Sequence, residues 1–135
     1  MKKILVGTDT SAAADLAVQA AAHLARADGA ELLVMQVRSN GSAHDAADPK
    51  KSADPDRYLA RMGERFPGLS VRSWSEPGDP AERLVEVATN ERVDAIVVGN
   101  RGVYGPWWRV RDSVPNLVLR HAPCSVLIVD TRAAQ

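Results

Sequence analysis

A chain of 135 residues, 45% of them hydrophobic, is long enough for one domain with one core. Lysine plus arginine equals aspartate plus glutamate at 17 each, which removes any global electrostatic pull toward nucleic acid or an anionic membrane. The apolar stretch that opens at Ile4 runs for only about four residues, too short for a signal peptide or a membrane span. Cys124 stands alone, so no disulfide closes within the chain, and a reducing cytoplasm is the expected location.

Lys3–Thr8 is the first expected strand, followed from Ser11 to Asp28 by a helix with Ala13, Leu16, Ala17, Ala20 and Leu24 on its inward stripe and Gly29 as its stop. The second strand is Glu31–Val37. Ser39–Pro55 then lacks any apolar period and reads as a mobile loop, leading to a short helix that carries Tyr58, Leu59, Met62 and Phe66. In Val71–Glu76, Arg72, Trp74 and Glu76 alternate with small or apolar neighbours, the pattern of an edge strand. After Pro80 a helix places Ala81, Leu84, Val85 and Ala88 inward, and Val93–Gly99 is the fourth strand. Ser113 opens the last helix, with Val114, Leu117, Val118 and His121 on its inner side, and Ser125–Asp130 is the fifth strand.

Four of the five strands are continuous apolar runs, such as Leu32-Leu33-Val34-Met35 and Val126-Leu127-Ile128-Val129, which predicts that both their faces are covered. Strands alternating with helical crossovers give a doubly wound, Rossmann-like α/β fold. Its five-stranded parallel sheet has the order 3-2-1-4-5, with helices on both faces. Ligands of such sheets bind beyond the carboxyl ends of the strands, where the strand order reverses. The site is therefore expected after Thr8, Val37 and Gly99.

Two glycine-bearing loops stand at those ends: Gly7-Thr8-Asp9-Thr10-Ser11 and Gly99-Asn100-Arg101-Gly102. Glycines let backbone amides approach an anion, and a helix N-terminus such as that after Ser113 adds donors. Read together with Ser113-Val114-Pro115 and Arg120-His121-Ala122-Pro123-Cys124-Ser125-Val126-Leu127-Ile128-Val129, these segments resemble the universal stress proteins over nearly the whole chain. The resemblance implies a possible adenine-nucleotide site: Asp9 at the base or ribose, the Val37 backbone at adenine, and Thr8, Gly99, Arg101, Gly102, Ser113 and Val114 around the rest. It also implies a cytoplasmic homodimer paired through Ser125–Asp130, with unidentified protein partners.

One position departs from the nucleotide-binding pattern of that family, which runs Gly, two residues, Gly, nine residues, Gly, then Ser or Thr. Gly99, Gly102 and Ser113 match, but Asp112 stands at the last glycine. A carboxylate about 4 Å from a phosphate charge costs roughly 1 kcal/mol in water and about 4 kcal/mol at an effective dielectric near 20. Asp112 is alternatively a helix cap that occupies the anion site itself. Arg101, Arg109 and Arg111 are nearby cations that compensate in part, and Trp107 and Trp108 either pack over the loop or stay exposed for a base or a partner.

Catalysis has little support. His23, His44 and His121 are scattered, no nucleophile elbow or Walker loop is present, and no cysteine–histidine cluster has metal spacing. Asp9 has a structural alternative as the cap of the first helix, and Cys124 one as a small core residue. Two functions follow. The first is a non-catalytic universal-stress-type protein with a degenerate ATP loop, acting through dimer and partner contacts. The second is an ATP- or adenine-nucleotide-binding sensor of the same type, which leaves room for very slow hydrolysis.

Overall fold

The computed structural model describes residues 1–38, 54–101 and 113–134. In chain order they form β1 (Lys3–Thr8), α1 (Ala12–Asp28), β2 (Glu31–Arg38), α2 (Pro55–Ala60), α3 (Met62–Arg65) and β3 (Val71–Pro77). There follow α4 (Pro80–Glu91), β4 (Ala95–Gly99), α5 (Val114–His121), β5 (Ser125–Val129) and a closing 3-10 turn (Arg132–Ala134). The five strands make one parallel sheet in the order β3-β2-β1-β4-β5.

Local chemistry sets the helix boundaries. Ser11 accepts from the Ala14 amide at 3.0 Å, Asp54 from Arg57 at 3.0 Å and Asp79 from Glu82 at 2.9 Å, each satisfying a donor that the first turn would leave orphaned. Pro55 and Pro80 sit at the first helical position, where a missing N–H costs nothing. Asp54 and Pro55 thus belong to the start of α2, which corrects the loop end expected at Pro55. Gly29 ends α1 in the left-handed region at φ 65°.

The sheet carries a core on each side. Residues alternating along the strands split Ile4, Val6, Leu32, Val34 and Val97 toward α1, α2 and α3, while Leu5, Leu33, Met35, Ile96 and Val98 face α4 and α5. On the first side α1 meets the sheet through Ala17, Val18, Ala21, Ala22 and Ala25. Of the expected stripe Ala17 is buried and Leu24 packs against this core, while Ala13, Leu16 and Ala20 give way to Val18, Ala21, Ala22 and Ala25, because alanines at that spacing allow a closer approach than Leu16 would. Likewise Val87, not Val85, is buried in α4.

Strand β5 differs from its sequence pattern. Ser125 and Leu127 are exposed, with Leu127 at 42%, and only Val129 is packed against the α1-side core, whereas Val126 and Ile128 pack against the other. A continuous apolar run cannot distinguish a central strand from an edge strand whose outer face awaits cover. At the opposite edge, β3 exposes Arg72 but half-buries Trp74 and Glu76, which are bonded to each other at 3.2 Å.

Candidate functional site

The strand order turns at β1, which pairs with β2 on one side and β4 on the other. At the carboxyl ends of these strands lies a cleft of about 330 Å³, within the size range of small-molecule sites. Thr8, Asp9, Val37, Gly99, Arg101 and Val114 all line it, so six of the eight expected site residues are brought together. Ser113 is placed beside it as the cap of α5, accepting from the Asn116 amide at 3.4 Å. Gly102 lies outside the described residues, as do Asp112, Trp107, Trp108, Arg109, Arg111 and His44.

The loop after β1 is held by its own side chains. Thr8 is 7% exposed, and its hydroxyl accepts from the Thr10 amide at 2.9 Å. This braces Thr10 at φ 66°, an unusual place for a β-branched residue. Asp9 Oδ1 accepts from the Ser11 amide at 3.0 Å, and Ser11 in turn caps α1. The cap of the first helix is therefore Ser11 and not Asp9, because Asp9 already closes the preceding turn. Its second oxygen pairs with Arg101 Nη1 at 3.2 Å across the mouth of the cleft. Both groups are partly exposed, a setting in which an ion pair contributes about 0–1 kcal/mol.

The cleft's apolar wall comes from Met35, Val98, Pro80, Leu84 and Pro115. These residues carried no separate signal beyond their positions at strand ends and helix starts. Gly7 belongs to β1 rather than to the loop, and its function in the fold is spatial: a Cβ there would lie 2.9 Å from Leu84 Cδ1. Gly99 is equally constrained, since its added Cβ would meet Thr131 Cγ2 at 3.0 Å. Thr131 is the residue sequence reasoning missed. Placed in a short polar tail, it is nonetheless 1% exposed and lines the cleft.

A second polar cluster stands behind the β1 loop. Asp15 on α1 accepts from the Tyr58 hydroxyl and from both guanidinium nitrogens of Arg65, one of them at 2.6 Å. Burial alone would raise the Asp15 carboxyl, but the hydrogen bonds from Arg65, Tyr58 and Gln19 outweigh it and hold the group below its ordinary range. Burial, reinforced by Asp15, pushes the Tyr58 hydroxyl well up. The cluster ties α2 and α3 to α1 beneath the loop that carries Thr8.

The other reactive groups are dispersed. His23 and His121 are exposed, so His121 does not sit on the inward side of the last helix; Val118, three residues earlier, occupies that side. Cys124 is half-buried, and burial pushes its thiol up, away from the reactive thiolate. Among the described residues no group of three His, Cys, Asp or Glu side chains is placed to hold a metal ion. No described helix is long and apolar enough to cross a membrane.

Comparison with known proteins agrees with the strand order. A universal stress protein of Mycobacterium tuberculosis (strain ATCC 25618 / H37Rv) is 33% identical over 96% of this chain and 97% of its own length. One from Bacillus subtilis (strain 168) is 26% identical over 94% of this chain and 97% of its own. A solved universal stress protein in complex with cAMP superposes with a TM-score of 0.80 at 28% identity, covering 96% of this chain and 97% of that one. UspA from Lactobacillus plantarum gives 0.74 at 24% identity over 95% and 97%, a likeness of fold. The profile of the universal stress protein family matches residues 1–130, and with the sheet order and the cleft at its turning point this places the chain in the universal stress protein family.

Proposed function

We propose that the cleft between β1 and β4 binds an adenine nucleotide of low phosphate count, AMP or cAMP in preference to ATP, in a stress-response protein without catalytic machinery of its own. The observation that carries this reading is the content of the cleft: an apolar wall of Met35, Val98 and Leu84 for a base, faced by a single described anion–cation pair, Asp9 and Arg101. The complex with cAMP formed by the 28%-identical relative supports the ligand class. Asp112, at the position of the family's last glycine, supports the bias against three phosphates, because each added negative charge increases the repulsion. In this reading Thr8, Val37, Gly99, Gly102, Ser113 and Val114 surround the nucleotide.

Calorimetric titration with ATP, AMP and cAMP tests it. AMP or cAMP should bind more tightly than ATP to the unmodified protein, and Asp112→Gly should narrow the gap. ATP binding as tight as AMP binding would overturn the degenerate-loop part of the reading.

A second reading, action through protein contacts with the cleft unused, is favoured by the exposed outer side of β5. We propose that Ser125–Asp130 pairs with its copy in a homodimer, burying Leu127, which is 42% exposed in the single chain. Sedimentation should give a dimer that Leu127→Glu converts to a monomer. If no adenine nucleotide binds while the dimer persists, the contact reading replaces the nucleotide reading.

A further inference from the structure

One buried side chain joins the cleft to the far end of the chain. Asn100 follows Gly99 and precedes Arg101, both of which line the cleft, and it is 3% exposed. Its backbone N–H donates to the Val129 carbonyl at 2.9 Å, and its Nδ2 donates to Asp130 Oδ1 at 3.1 Å. Its Oδ1 accepts from the Thr131 amide at 3.1 Å and from the Thr131 hydroxyl at 2.9 Å. Asp130 remains an anion to receive its share, held far below the ordinary carboxyl range by the Arg132 side chain, the Arg132 amide and Asn100.

These bonds require a carboxamide. An aspartate at this place would set a second carboxylate against Asp130, and an apolar residue would orphan the Thr131 hydroxyl in a buried place. Thr131 completes the contact from its other side, with its methyl 3.0 Å from the position of a Gly99 Cβ. The turn that carries Arg101, the cation lining the cleft among the described residues, is thus tied to the exit of β5.

We infer that Asn100 and Thr131 are a positioning pair for the phosphate end of the cleft: by fixing the Gly99–Arg101 turn to the residues after β5, they set where Arg101 can meet the ligand's phosphate. The inference rests on the nucleotide reading above. The bonds of the pair run between the turn and the end of β5, and Thr131 lines the cleft beside Gly99. Its loss should therefore penalise the phosphate and spare the base, which a general loss of stability would not do.

The test is the ratio of AMP to adenosine affinity, measured by calorimetry on the full chain. Thr131→Val keeps the shape and removes the hydroxyl proton donated to Asn100. Losing that one bond should weaken AMP by about three- to tenfold while adenosine stays within about twofold, and Thr131→Ser, which restores the hydroxyl, should keep the wild-type ratio. Equal loss for both ligands, or no change in either, overturns the inference. Failure of the unmodified protein to bind either ligand overturns the nucleotide reading with it, whereas normal binding with an unmoved ratio in Thr131→Val overturns this inference alone. Should Thr131→Val not fold, the exposed change Arg132→Ala, which removes the partner of Asp130, is read in its place for the same drop in ratio.

Discussion

Replacing Gly7 with alanine isolates the packing that shapes the cleft. The new Cβ would stand 2.9 Å from Leu84 Cδ1 and 3.2 Å from Cδ2, and the nearer contact is about 0.6 Å inside the usual carbon–carbon minimum of ~3.5 Å. Leu84 is 2% exposed, so its end cannot swing into solvent; it must change rotamer, or α4 must move away from the sheet. Overpacking of this kind costs about 1–3 kcal/mol, while the entropy that alanine removes from the unfolded chain returns about 0.4–1 kcal/mol. Net destabilisation of roughly 1–2 kcal/mol is expected, read as a lower urea midpoint at constant slope.

A double-mutant cycle identifies the cause. Leu84→Ala alone should cost about 2–5 kcal/mol by opening a cavity. In the double variant the methyl introduced at position 7 no longer clashes and fills part of that space, so the combined loss should fall short of the sum by at least about 1 kcal/mol. Because Leu84 also lines the cleft, Gly7→Ala should weaken adenosine as much as AMP. Additive effects, or a Gly7→Ala variant as stable as the parent, would refute the claim that this glycine exists to admit Leu84.

Two further outcomes follow from helix capping and charge. Ser11→Ala removes the acceptor for the Ala14 amide and should lower stability by about 0.5–2 kcal/mol, whereas Ser11→Gly should cost only a few tenths, both read from urea midpoints. The Glu91 carboxyl is pulled down to about 2 by the hydrogen bond from Arg72 and then that from Lys3. A lowered folded-state value contributes stability that is fully present above the unfolded value of 4.5 and is lost as pH falls toward 2. The urea midpoint of Glu91→Gln should accordingly fall less between pH 5 and 3 than that of the parent; parallel curves would show that the network with Arg72 and Lys3 does not act in folding.

The scaffold was readable because apolar runs between capped helices are a local signal, repeated four times along the chain, with the alternating Val71–Glu76 as the fifth strand. What escaped was phase and partnership. In α1 Ala17 and Leu24 were legible as inward, but the alanines contrast too weakly with Leu16 to fix the rest of the stripe, and only the close approach to the sheet selects Ala21 and Ala25. In β5 the run Val126–Val129 reads as doubly covered, although its place at the sheet edge leaves Leu127 exposed. Thr131 and Asn100 are 31 positions apart, and they meet only because β4 and β5 are neighbours that end at the same level. No pattern within either segment announces that contact. Gly7 was legible as a glycine near an anion site, yet the space it leaves is filled by Leu84, a contact set by the packing of α4 on β1.

If the proposed nucleotide reading holds, the charge of the described lining bears on the number of phosphates. Asp9 and Arg101 are the charged residues among the described lining, and they already face each other at 3.2 Å. A ligand carrying one phosphate exchanges an exposed ion pair for a similar one, at a cost of no more than about 1 kcal/mol. Each additional phosphate must find another cation or face Asp9 unshielded. Asp9→Asn keeps an acceptor for the Ser11 amide while removing the competing charge, so it should raise AMP affinity relative to adenosine. Arg101→Gln should abolish the advantage of AMP over adenosine. High salt should shrink that advantage in the parent, since the screening length falls from about 10 Å at 0.1 M to about 3 Å at 1 M. An AMP preference that survives both Arg101→Gln and high salt would mean that the phosphate is held by backbone amides rather than by this pair, and the argument from charge would fail.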